Sequence, residues 1–124
     1  LPARLRGLIG QMGEEATRLF RLSLDAYIDE DAGVAAALDD LDDRLDSIHR
    51  EYIQEIFVVH NAGDLGIQPA VQLALVGRYY ERIGDHAVNI GERVRYMVTG
   101  WLPEHTGAAR AAAAKTQPMR PLDL

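Results

Sequence analysis

Two pairs of carboxylates define the chemistry open to this chain. Asp42 and Asp46 stand four residues apart, and so do Glu81 and Asp85. On an α-helix, residues at that spacing lie about 40° apart around the axis and project to the same side. Each pair therefore offers a cation two hard oxygen donors. The chain has no cysteine, so thiolate sites and disulfides are excluded. A metal held here would be an oxygen-binding ion such as Mg²⁺, Ca²⁺, Mn²⁺ or iron. His49 or His86 could add an imidazole, and Asn89 and Glu92 are second choices as ligands or supporting groups. The plain alternative is that both acidic strips are only solvated. Arg44, Arg50, Arg78, Arg82, Arg93 and Arg95 are close enough in sequence for i,i+4 pairs, each worth about 0.3 kcal/mol.

Three helices must position these groups. The first is predicted from Ala3 to Ile28, with Leu5, Ile9, Met12, Ala16, Leu19, Ser23 and Ala26 on its inner face and Pro2 at its start. The second is predicted from Ala32 to Val59, with Asp31 as N-cap. Its seam is Val34, Leu38, Leu41, Leu45, Ile48 and Tyr52, alternating steps of four and three. Residues 60–66 carry turn chemistry. The third helix is predicted from Pro69 to Gly100, a natural C′ residue, with a seam of Val76, Ile83, Ala87, Ile90, Val94 and Met97. Strand patterns are nearly absent, so the expected fold is all-α, an antiparallel three-helix bundle over residues 3–100. Residues 101–124, rich in Ala and then broken by Pro, read as a flexible, disordered tail.

With that seam, helical wheels place the Glu81/Asp85 strip opposite the core and the Asp42/Asp46 strip at its flank. Both are expected to face outward, where a bundle could bring them together across a shallow groove. Four carboxylates there would repel one another without a counter-ion. Gly7, Gly10 and Gly13, like Gly84 and Gly91, read as places where another helix approaches closely. Tyr79 and Tyr80 read as packing aromatics.

The 124 residues suffice for one domain with a core, and the formal net charge of −6 speaks against a nucleic-acid partner. No apolar run approaches the roughly 20 residues of a membrane-spanning helix. Starting at Leu1 rather than Met, the chain is expected to be a piece of a longer protein. It shows no nucleophile motif and no phosphate-cradling loop, so catalysis is not expected. A metal cluster activating water against a phosphate ester is the enzymatic alternative.

The segment from Arg78 through Val94, containing Glu81-Arg82-Ile83-Gly84-Asp85-His86, closely resembles the PhoU family of accessory regulators of bacterial phosphate uptake, and so does the block from Asp42 to Glu51. The resemblance covers about Leu5 to Gly100 and looks like the C-terminal one of two tandem three-helix repeats. It implies a cytoplasmic adaptor, membrane-associated only through partners, that couples a phosphate ABC transporter to a sensor histidine kinase and represses the phosphate-starvation response. It implies metal ligation by the two motifs of Glu or Asp, three residues, then Asp. Here these are Asp42/Asp46 and Glu81/Asp85, with iron, zinc, magnesium or manganese as candidate ions. Gly91 stands where Ala is commoner. A lone repeat could also pair with a copy of itself as a homodimer.

Overall fold

The computed structural model describes residues 1–100; the tail expected over 101–124 lies outside them. Three α-helices follow one another, α1 (Ala3–Asp29), α2 (Val34–Asn61) and α3 (Ile67–Thr99). No strand occurs among the described residues. Arg4 near the start of α1 meets Glu51 and Glu55 late in α2, and Glu15 meets Arg44 midway, so these helices run antiparallel. Gly84 lies against Asp42 and Leu45, and Gly77 against His49 and Tyr52, so α2 and α3 are antiparallel too. The expected bundle is what forms, and no described helix is long and apolar enough to cross a membrane.

The helix ends follow local chemistry. Asp31 caps the turn before α2 rather than the helix itself, its Oδ1 accepting the Gly33 N–H at 2.9 Å. That moves the start from the expected Ala32 to Val34. α3 begins two residues early, placing Pro69 inside the first turn, where its missing N–H costs no helical bond. The α2–α3 turn is closed by His60, whose Nδ1–H donates to the Leu65 carbonyl at 2.7 Å. α3 stops at Gly100, at φ 73°, as its sequence suggests. α1 stops at Glu30, which adopts the same left-handed conformation at φ 53° with a Cβ to accommodate.

The inner faces of α1 and α2 match the sequence reading. Leu5, Met12, Ala16, Leu19, Ala26, Leu38, Leu45 and Tyr52 are buried, with Val34, Leu41 and Ile48 packed beside them. Ser23 is buried and satisfied by donating to the Phe20 carbonyl at 2.6 Å. α3 is different. Its packed stripe is Ala70, Gly77, Gly84, Ala87, Gly91 and Val94. Of the expected seam, Val76 and Ile83 are 38% exposed and Met97 60%. The small residues win because they let α3 lie against the large side chains of α2. A Cβ on Gly77 would sit 2.7 Å from the Tyr52 ring, and one on Gly84 2.8 Å from Leu45 Cδ2. Tyr52 is held in that position by donating its hydroxyl to the Leu73 carbonyl at 2.5 Å. By contrast, Gly7 and Gly10 have nothing near their Cβ positions and Gly13 makes only ordinary contact with Tyr80. The expectation that this trio marks close packing is therefore corrected.

These two kinds of glycine should respond oppositely to alanine. Gly77→Ala should destabilise by about 1–3 kcal/mol through overpacking, whereas Gly10→Ala should stabilise by up to ~1 kcal/mol through helix propensity. Urea denaturation of both variants checks this; a harmless Gly77→Ala would mean the α2–α3 approach is looser than the geometry states.

Candidate functional site

The rotation of α3 about its axis decides where its carboxylates go. With Gly77, Gly84 and Gly91 turned inward, Glu81 and Asp85 flank the packed stripe instead of standing opposite it. Both are partly buried, as are Asp42 and Asp46 on α2. The expectation that the α3 strip faces away from the core is thus corrected, since the helix packs through its small residues and not through its large aliphatic ones.

The four acidic groups share one neighbourhood along the α2–α3 seam. Burial pushes the Asp42 carboxyl up to about 7, and the charges of Asp46, Asp85, Asp43 and Asp39 add to the effect. Asp46 is also raised, first by burial and then by Glu81, Asp85 and Asp43, with Arg50 pulling the other way. Asp39 is raised by burial and by Asp43 and Asp40, and lowered by Arg95. Asp42 Oδ1 is fully buried with no hydrogen-bond partner among the described residues. It lies over the face of α3, 2.6 Å from where a Cβ on Gly84 would be. Gly84 thus has two roles: it admits α2, and it leaves room for this oxygen.

Glu81 is bonded directly to an arginine and faces an imidazole. Arg78 Nη1 donates to its Oε1 at 2.5 Å, and His49 Nδ1 lies 3.5 Å from its Oε2. His49 Nε2 is buried and unpartnered among the described residues. Asn89 and His86 are exposed, and Glu92 is partly buried. Arg44 pairs across helices with Glu15, a buried carboxylate among apolar neighbours that the pattern of α1 did not single out. A charged residue one position before Ala16 on the inner face was the signal available.

What this arrangement can do follows from its donors. Carboxylate oxygens with an imidazole nitrogen suit a hard or borderline cation, and an orphaned buried oxygen beside repelling charges is relieved by one. Among the described residues, however, no three such side chains converge as a ready-made cage. The donor chemistry fits a metal; holding one would require the carboxylates to turn toward each other.

The pH dependence of stability carries the imprint of this crowding. Folded Asp42 keeps its proton up to about pH 7, while an unfolded aspartate releases it near 3.8. Between those values the native state binds more protons, so stability is highest in acid and falls as pH rises through about 7. In chelator, Asp42→Asn should flatten that fall. At pH 7.5 it should raise Tm by about 4–8 °C, an effect on the order of 1 kcal/mol once solvent screening is allowed for. Identical melting curves for the two proteins across pH 5–8 would show that Asp42 ionises without penalty.

Residues 9–94 match the family description PhoU domain. The chain is 36% identical over 103 residues to the phosphate-specific transport system accessory protein PhoU homolog 1 of Mycobacterium bovis, covering 83% of this chain and 46% of that protein. It is 32% identical to the Mycobacterium leprae homolog 1 over 84% of this chain and 46% of the relative. A Clostridium acetobutylicum PhoU homolog is 29% identical over 74% of this chain and 42% of its own length. The chain thus spans less than half the length of these relatives. No solved structure matches it significantly.

Proposed function

The chain belongs to the PhoU family, and from that membership and the crowded α2–α3 face we propose that it is a regulatory adaptor in phosphate homeostasis. In this reading it works on the cytoplasmic side with a phosphate ABC transporter, its relatives being named as accessory proteins of phosphate-specific transport. It couples that transporter to a sensor histidine kinase and represses the phosphate-starvation response. Asp42, Asp46, Glu81 and Asp85 hold a divalent or trivalent ion, with Fe, Zn, Mg and Mn as candidates. When bound, the ion supplies positive charge that neutralises the face and ties α2 to α3. The protein's own groups do the rest. Asp42 brings a buried oxygen with no partner among the described residues, Asp46 and Asp85 extend the face toward solvent, and His49 steadies Glu81. The observation that carries the metal reading is the orphaned Asp42 Oδ1 among mutually repelling carboxylates.

The reading is tested on the chelator-stripped chain beside a variant carrying Asp42→Asn, Asp46→Asn, Glu81→Gln and Asp85→Asn. Adding Mn²⁺, Mg²⁺, Zn²⁺ or Fe³⁺ should raise the native Tm in a saturable way, with a stabilisation of about 2.7 kcal/mol at 100 times Kd. The variant should not respond. Equal responses would leave an adaptor whose helical surface docks without metal. In a cell carrying the full-length protein, Glu81→Lys with Asp85→Lys should derepress phosphate-starvation genes; normal repression would count against the acidic face as the working surface.

A further inference from the structure

α3 carries a basic edge immediately beside its acidic one. Arg78, Arg82 and His86 follow at steps of four, so they climb one side of the helix. Together with Asp85 they line a small polar hollow of about 170 Å³, room for a few groups of water size at about 30 Å³ each. The hollow points away from the packed stripe, and Arg82 and His86 are exposed. Arg82 has no ion-pair partner among the described residues. Two guanidinium forks one turn apart present several N–H donors to a tetrahedral oxyanion, and the imidazole adds another.

Asp85 decides which oxyanion. A carboxylate can only accept hydrogen bonds. Sulfate at neutral pH carries no proton, so it would set lone pair against lone pair there. Phosphate carries one or two protons and can donate a P–O–H to the same carboxylate, which turns a repulsive contact into a charge-assisted bond. Arg78 links this hollow to the acidic face, because its guanidinium also holds Glu81. A ligand in the hollow and the Glu81 carboxylate compete for it.

We propose that Arg78, Arg82, His86 and Asp85 form a site for free inorganic phosphate on the outer face of α3, the cationic groups binding its oxygens and Asp85 accepting its hydroxyl. The proposal deepens the phosphate-regulatory reading and rests on it for its biological sense. Its chemistry needs no metal, so the two can fail separately.

The test is an amide-resolved NMR titration of the whole 124-residue chain in EDTA, at constant ionic strength, with inorganic phosphate, sulfate and O-phosphoserine in separate arms. Phosphate should give saturable shifts over residues 78–86. Arg82→Gln, a surface change that leaves the core intact, should weaken binding about 10-fold or more, the usual scale for losing a charged hydrogen bond. Glu81→Gln should tighten it, because the Glu81 carboxylate then no longer competes with the ligand for Arg78. Asp85→Asn should let sulfate bind as well as phosphate does. Non-saturable shifts, native binding of sulfate equal to phosphate, or indifference to Arg82→Gln would overturn the site. Tighter binding of O-phosphoserine would overturn free phosphate as its ligand and point to a phosphorylated side chain.

Discussion

The close approach of α3 to α2 across Gly77 and Gly84 is the constraint on which the rest of the structure depends. A side chain as small as alanine at either position would collide with Tyr52, Leu45 or Asp42. Because both positions are bare, the large residues of α2 reach the α3 backbone directly, and Tyr52 fastens itself to the Leu73 carbonyl. That contact fixes the rotation of α3. The rotation in turn brings Glu81 and Asp85 to the side of α2 where Asp42 and Asp46 already stand.

The price of that placement is electrostatic. Burial and like charges both disfavour ionised Asp42, and its inner oxygen finds no donor among the described residues. Glu81 meets the opposite circumstance, held by Arg78 and facing His49. The seam is therefore uneven, with Arg78 bonded to Glu81 and carboxylates crowded around Asp42. Such local conflicts, kept against their cost in stability, are where function is expected in an otherwise consistent fold. The same unevenness gives α3 its outer chemistry, since Arg78 stands between the acidic seam and the basic edge formed with Arg82 and His86.

Packing through small residues also leaves apolar groups outside. Val76, Ile83, Tyr79 and Met97 on α3 are exposed, as are Phe20, Tyr27 and Ile28 on α1. They add nothing to the buried core, whose contents come chiefly from α1 and α2. The chain matches less than half the length of its relatives, so this surface belongs to a unit that in them is followed or preceded by as much protein again.

Sequence alone determined the number of helices, their order and their ends to within two residues, because those depend on local signals. The period of Leu38, Leu45 and Tyr52, the turn chemistry of residues 60–66 and Gly100 after α3 each act within a few residues of themselves. It also made the two acidic pairs legible, since spacing on a helix is fixed by the helix. It did not determine which face of α3 packs. A wheel weighs residues by hydrophobicity, which favours Val76, Ile83 and Met97. The bundle instead selected Gly77, Gly84 and Gly91, because inter-helix distance depends on the side chains of the partner as well. The glycines of α1 show the same limit from the other side, for Gly7 and Gly10 share the spacing of packing residues but have no described atom within 4 Å of their Cβ positions. Tertiary structure alone decided that the carboxylates flank the seam, that Asp42 is left with a buried bare oxygen and that Arg78 is shared between two edges. Each is a relation between helices, and a single helix carries no record of what will lie against it.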